Sequence, residues 1–552
     1  MTKEMKNSIK YVAVALSIGT LASCADLDTE YLGGYVNNEQ KEGAAEAKPD
    51  LAAASVTALY SQALELGSSY SNTHFDFGYP AIMLGMDMQT ADMNGAYSGY
   101  NWFRNWQSFG SQGPNSWVTY EFWEPTYANI KMTNDNLAAI SPDTEDNKLK
   151  FFRAQSLAMR AFDYWILAQV YQFNYKFNPQ APCVPLLTDE NSTDAAVNGA
   201  PRATCEEVYA QIMKDLDEAI SLLDGNPVTP ASVITDRPKR MVSAAVAYGL
   251  RARVNMSMGK YAEAASDAQN AISKFSGAPA SIADVSKPTF VSLNENNWMW
   301  GIAVNETDGC VQTGIINWPS HLNTFSDGYT TVGGWRYMSK DLWESIPSTD
   351  VRKGWFLDEN YTSPNLSAAQ QTYIDQYVGT PIYSQAQQAP IFPYTNVKFD
   401  SFEGALPATN LCNDIPRMRV EEMYYILAEA QGMSQGVAQG KATLENFVKT
   451  YRDPAFASAA TTAEQLQEEI FQQKRVELWG EGLMYYEYMR LDKGIDRRRA
   501  HAPYVYTFNI PARSPRLIYC LPQEEINSNK AISEADNNEE VTSQPTPVDW
   551  EE

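Results

Sequence analysis

Two sets of residues in this sequence carry chemistry: one cysteine near the start, and aromatic side chains set in turn-like text. Cys24 ends Leu21-Ala22-Ser23-Cys24, behind an apolar run from Tyr11 to Ala22 and a basic start with Lys3, Lys6 and Lys10. A positive region, an apolar region and small residues before a cut make a secretory signal, and small residues ending on cysteine make a lipobox. Residues 1–23 are then expected to be removed, leaving Cys24 with acyl chains on its thiol and amine. The apolar run is twelve residues long, short of the roughly 20 that span a bilayer as a helix. Several acyl chains hold where one is marginal, at about 0.8 kcal/mol per buried CH₂. The alternative is an ordinary cleaved signal with an incidental cysteine.

The second set is aromatic. A neutral polyhydroxyl ligand needs flat apolar faces for its C–H groups and convergent polar groups for its hydroxyls. Tyr97-Ser-Gly-Tyr100-Asn101-Trp102-Phe-Arg104-Asn-Trp106 interleaves rings with amide and guanidinium donors, so it reads as a stacking platform or as a loop folded over its own aromatics. Trp298 and Trp300 alternate with Met299 and share one side of an extended segment, facing ligand or packed as an edge strand on the helices. Trp318 and Trp335 are single tryptophans in loop text. Trp123, Trp165 and Trp479 sit in helical text and are expected in the core.

Other chemistries find little support. No G-x-S-x-G, H-E-x-x-H or G-x-x-x-x-G-K-[ST] occurs, and no cysteine–histidine pairing carries a known local signature. A carboxylate pair for glycoside hydrolysis remains open in a chain with 67 acidic residues. His74, His321 and His501 lie far apart and no C-x-x-C is present, so no zinc site is expected. Asp26-x-Asp28-x-Glu30 lacks the glycine and closing glutamate of a calcium loop. No cofactor and no metal are expected. Cys183, Cys205, Cys310, Cys412 and Cys520 do not make a disulfide framework in a chain this long. The formal charge of −25 becomes two units more negative without residues 1–23, which disfavours nucleic acid and anionic headgroups.

The elements that must position these residues are mainly helical. Thr204-x-x-Glu207 is a capping box, followed by Val208, Ile212, Leu216, Ala219 and Leu223 on one helical face. Ala247, Leu250, Val254 and Met258 mark another helix that stops at Gly259, and Tyr261, Ala264, Ala265, Ala268 and Ile272 begin the next. Two helices joined this tightly, with small residues at the crossing, look like a tetratricopeptide repeat. Similar pairs are expected at 151–171 with 204–223 and at 417–431 with 441–451, and a capped helix from Thr461 or Thr462 through Leu478. From 277 to 413 the text turns rich in Pro, Gly, Asn, Ser and Tyr and reads as loops, short helices and a hairpin or two.

Gln473 to Arg490 (QKRVELWGEGLMYYEYMR) resembles the signature helix of the SusD/RagB family, as do Leu491-Asp-Lys-Gly494 and Ile518 to Ile526 with Asn529 nearby. Pro416-Arg417-Met418-Arg419 with Glu422 and Leu427-Ala-Glu-Ala430 resembles another family helix. Trp123, Tyr127, Ile130 and Asn134, then Arg160-Ala161, Pro182 to Leu186, Pro201-Arg202, Val208-Tyr209 and Asp215-Leu216 follow in family order. Lys474 departs from the pattern, where members often carry an acid.

The resemblance implies a mainly α, tetratricopeptide-like scaffold with a loop-rich, ligand-binding face. It also implies a non-catalytic lipoprotein on the outer surface of Bacteroidetes-type outer membranes, lying as a lid on a SusC-like TonB-dependent transporter and capturing nutrient oligomers. Oligosaccharides are the first expectation for the ligand. Oligopeptides in the same lid role, a surface scaffold or adhesin, and a hydrolase are the alternatives. The expected organisation is a signal peptide at 1–23, a lipidated tether at 24–50, a helical half at 51–276, a loop-rich region at 277–415, a family-like helical part at 416–530 and a solvated acidic tail at 531–552.

Overall fold

The computed structural model describes residues 48–65, 73–97, 100–379 and 390–551, with Gly43, Ala45 and Glu46 as isolated positions before them. Cys24, the signal peptide and nearly all of the expected tether lie outside the described residues.

Local sequence signals set the helices. Thr204 accepts from the Glu207 N–H while its own N–H donates to the Glu207 carboxylate at 2.8 Å, starting the helix Cys205–Leu223. Gly259, at φ +73°, ends the helix Ala244–Met258 and donates to the carbonyls of Asn255 and Met256. Only a residue at ease in the left-handed region closes a helix this way, and the next helix, Tyr261–Lys274, follows at once.

In chain order the main elements are α1 (Pro49–Ser61), α2 (Tyr79–Met88), β1 (Met93–Gly95), α3 (Trp117–Ala139) and α4 (Asn147–Val170). Next come β2 (Pro182–Pro185), β3 (Arg202–Thr204), α5 (Cys205–Leu223), α6 (Ala244–Met258) and α7 (Tyr261–Lys274). The rest are β4 (Trp298–Ile302), β5 (Arg336–Met338), β6 (Ile415–Arg419), α8 (Val420–Ser434), α9 (Val437–Tyr451), α10 (Ala463–Glu477) and α11 (Met484–Arg490). Neighbouring helices pack in succession from α3 through α9, and α7 lies on α8 although the whole 277–415 stretch separates them in sequence. This is a helical-repeat stack with a large excursion. Each amphipathic pair buries its apolar face on the next.

The excursion makes no local hairpin among the described residues. β4 instead pairs antiparallel with β6, which leads directly into α8, and β5 pairs antiparallel with β1 of the N-terminal half. Both long-range pairs are buried on both faces. The stretch 416–419, expected at the start of a helix, is therefore strand.

The family-like motifs turn out to be ionic braces. Arg419, Arg452 and Arg352 converge on Glu477, with Glu421, Glu481, Asp350 and Lys398 around them, and no side chain in the set is more than 4% exposed. Lys474, the departure from the family pattern, is buried between Glu429 at 3.2 Å and Glu487 at 3.0 Å, and Arg490 bridges the same two carboxylates. Buried charges of this kind persist only when paired.

The 531–551 segment is not a free tail. Asn538 donates to the carbonyls of Tyr171 and Tyr519, Val548 N–H donates to Thr507 O, and Glu551 N–H to Arg498 O. Its acids face solvent while its backbone is tied down. The five cysteines at 183, 205, 310, 412 and 520 are buried free thiols.

Candidate functional site: an aromatic platform

The segment between α2 and α3 is held from below by the carboxyl-side motif. Arg497, fully buried, donates to Met88 O at 2.5 Å, Thr90 O at 2.9 Å and Gln107 O at 2.6 Å. Burial pulls its guanidinium down to about 9, which leaves it charged at neutral pH. Asp92 accepts from Arg475 at 2.6 Å and from the Tyr488 hydroxyl at 2.8 Å, and its carbonyl accepts from Trp479 Nε1. Asp87 Oδ2 accepts from Gly482 N–H at 2.9 Å. Residues of the 473–497 text thus place a loop roughly 400 positions earlier.

β1 then runs beside β5, with Gly95 opposite Arg336. A Cβ at Gly95 would lie 2.7 Å from the Arg336 guanidinium and 2.8 Å from the Asn101 amide, so only glycine fits. Asn101 is 1% exposed and spends its amide internally: Nδ2 donates to Ala96 O and Gln107 Oε1, and Oδ1 accepts from Arg336. Trp106 is likewise buried, stacked on Phe103 at 4.9 Å and edge-on to Phe75 at 5.6 Å. These two expected ligand-binding residues are the loop's internal frame, because a compact loop must bury its own polar and apolar groups.

Four other tryptophans expected to face ligand are core. Trp298 and Trp300 lie in β4, buried by pairing with β6 on one edge and by helix α4 through Phe162, 5.2 Å from Trp300. Trp318 packs edge-on to Phe399 at 5.0 Å, and Trp335 edge-on to Tyr377 at 5.2 Å; each is at most 1% exposed. None offers a face to solvent.

The remaining expected residues do reach the surface, and two of them, Tyr100 and Trp102, meet over Tyr329. Tyr97 is 71% exposed, Arg104 is exposed, and Tyr100 and Trp102 are partly buried; Ser98 and Gly99 between them lie outside the described residues. The Trp102 ring is 4.9 Å from His74 and 6.0 Å from Tyr329, and Tyr100 is 6.3 Å from Tyr329. Beneath, Tyr329 stacks on His321 at 4.6 Å, which stacks on Phe77 at 5.4 Å. Burial, with Arg336 nearby, holds the His321 imidazole well below its usual pKa, so it is neutral, and its Nε2–H donates to His74 O at 2.7 Å. His74 Nδ1 also hydrogen-bonds the Tyr329 hydroxyl.

The result is a tilted aromatic surface of Tyr100, Trp102 and His74 laid over the buried Tyr329, on a stacked base of His321 and Phe77. Such a surface can stack on sugar C–H faces and donate to hydroxyls. His74 and Tyr329 were missed by sequence reasoning, since 255 residues separate them and neither sits in a local pattern. Tyr329 follows a Ser-Asp-Gly turn, the one weak signal available.

A family model described as starch-binding associating with outer membrane matches residues 83–256, and the SusD family model matches residues 357–539. No curated protein matches significantly. A SusD-like carbohydrate binding protein from Bacteroides vulgatus is 21% identical with a TM-score of 0.73, covering 89% of this chain and 98% of that one. A laminarin binding SusD-like protein has 19% identity and a TM-score of 0.59, with 89% and 98% covered. Surface glycan-binding protein A from Bacteroides thetaiotaomicron, solved with laminarihexaose, has 18% identity and a TM-score of 0.60, with 87% and 98% covered. At such identities these structures speak to the fold. The two family models meet the chain in order, one over the helices that flank the aromatic loop and one over the ionic motifs that hold it, and the chain belongs to the SusD/RagB family.

Proposed function

We propose that this protein is a lipid-anchored surface receptor that captures oligosaccharides and presents them, as a lid, to a SusC-like TonB-dependent transporter. The observation that carries the ligand class is the Trp102 platform, a set of rings left partly open to solvent and fixed by a stacked, hydrogen-bonded base. Rings with few torsions to freeze lose little entropy when a sugar stacks on them. The glycans named for the related structures agree with this class, as does an acidic chain that would repel anionic polymers. Binding rather than turnover follows the family.

Anchoring rests on Cys24, since among the described residues no helix is long and apolar enough to cross a membrane. The lid role and the transporter partner rest on family membership.

Calorimetry with maltohexaose and laminarihexaose tests the ligand class. Trp102→Ala should weaken whichever sugar binds by roughly tenfold or more. If the variant binds as the unaltered chain does, the platform is not the site. Co-purification of a large barrel protein in mild detergent tests the lid role, and Cys24→Ala should release the chain from the membrane fraction.

A further inference from the structure

A cavity of ≈ 450 Å³ is lined by Tyr337 of β5 with residues of 340–394 and 500–550, and neither the sequence reading nor the platform accounts for it. Its aromatic walls are Tyr337, Phe392, Tyr394 and Trp550, with Lys340, Glu359 and His501 as polar groups. The volume falls within the roughly 300–1,000 Å³ of sites that enclose small ligands. Tyr337 stacks on Phe392 at 5.0 Å, and the Tyr394 hydroxyl lies 3.4 Å from Glu359 Oε1.

Trp550 is the informative wall. It is 51% exposed, yet its indole is held in place. Its Nε1–H donates to Ala502 O at 3.1 Å and Thr507 Oγ1 at 2.9 Å, and His501 stacks against the indole at 4.9 Å. The neighbouring residue is pinned through Glu551 N–H to Arg498 O, with a carboxylate–guanidinium pair beside it. A large apolar ring that stays exposed while its donor and backbone are satisfied is a presented surface.

Two walls are also strained. Tyr394 has φ +64° and His501 φ +52°, a region costly for non-glycine residues and found where the surroundings over-determine it. Tyr394 is locked there by its N–H on Leu357 O and by its carbonyl accepting from Met338 N–H.

We infer that this cavity is a second saccharide subsite, taking an uncharged pyranose unit that stacks on Trp550 and bonds its hydroxyls to Glu359 and Lys340. The two charges oppose one another, which suits a neutral polyol. The inference rests on the oligosaccharide reading and extends it: the subsite holds a further unit of the glycan lying on Trp102. The two are linked through β5: Arg336 donates to Asn101 Oδ1 beside Trp102, and the next residue, Tyr337, lines the cavity.

The test is calorimetry of the full chain with maltohexaose and laminarihexaose, using Trp550→Ala and, on the opposite exposed wall, Glu359→Gln. Glu359 is exposed and Trp550 half-exposed, so both variants should fold, and thermal unfolding checks that they do. Trp550→Ala is expected to weaken the hexaose that binds by roughly tenfold, Trp550→Phe by less, and Glu359→Gln by several-fold. If both Trp550→Ala and Glu359→Gln bind within twofold of the unaltered chain while Trp102→Ala loses affinity, the subsite is refuted and the platform stands. If the unaltered chain binds neither hexaose, the oligosaccharide reading and this inference fall together.

Discussion

Replacing Glu477 by Gln removes one negative charge from a buried set in which Arg352, Lys398, Arg419 and Arg452 face Asp350, Glu421, Glu477 and Glu481. Glu477 accepts from Arg452 at 2.8 and 2.9 Å, from Arg419 at 3.1 Å and from Arg352 at 3.2 Å. Burial pushes its carboxyl up, but the three guanidinium groups outweigh burial and hold it well below the usual range. Gln keeps the shape and one acceptor, yet leaves a positive charge without a counterion where side chains are at most 4% exposed. Breaking a buried pair costs about 3–5 kcal/mol, a large part of a typical stability of about 5–15 kcal/mol. Asp135→Asn, which breaks the exposed pair with Lys131, should cost only about 0–1 kcal/mol. Urea unfolding followed by tryptophan fluorescence reads both, with the slope checked for constancy. Restoring neutrality with Glu477→Gln plus Arg452→Gln should cost less than the two single changes summed. A loss for Glu477→Gln no larger than for Asp135→Asn would refute the reasoning.

Three further outcomes follow from the braces. Glu487 would be pushed up by burial, but Arg490 and Lys474 hold it at about 2. Its contribution, about 3 kcal/mol by linkage, is present above the unfolded carboxyl pKa and lost as pH falls toward 2, so Glu487→Gln should flatten acid unfolding over that window. Asp87 is pushed by burial to about 8 and is protonated at pH 7. Asp87→Asn should therefore cost under about 1 kcal/mol there, and the unaltered chain should lose ground to the variant as pH rises from 4 to 8. Arg497→Ala strips the donors from Met88 O, Thr90 O and Gln107 O, and should lower the unfolding free energy by at least about 2 kcal/mol, read as a lower urea midpoint, while weakening hexaose binding through the displaced loop. Unchanged affinity would detach that brace from the platform.

The helical frame was legible because its signals are local. The Thr204–Glu207 box, the Gly259 stop and the apolar spacing of 208–223 act over three or four residues, and each stands in the structure where the spacing put it. The resemblance of 473–494 was equally legible, but its purpose was not. Those residues look like a helix signature and, with Arg497 just beyond them, serve as ionic and hydrogen-bonded supports for residues 87–107.

Exposure of the aromatics was the illegible part. Trp102 and Trp106 stand four residues apart in the same turn-like text, yet one keeps part of its surface in solvent and the other is sealed under Phe75 and Phe103. Trp298 and Trp300 vanish into the core because β4 finds its partner more than 100 residues away, and Trp318 and Trp335 because Phe399 and Tyr377 pack edge-on against them. Trp550, in text that read as a solvated acidic tail, becomes a cavity wall.

Composition, helical periodicity and the amino-terminal signal thus determined the class of scaffold and where the chain is expected to live, since these depend on near neighbours and on totals. Which ring meets water, and which charge meets its counterion, depends on contacts between segments hundreds of residues apart. Only the folded chain brings those surfaces together, and so only the tertiary structure decided them.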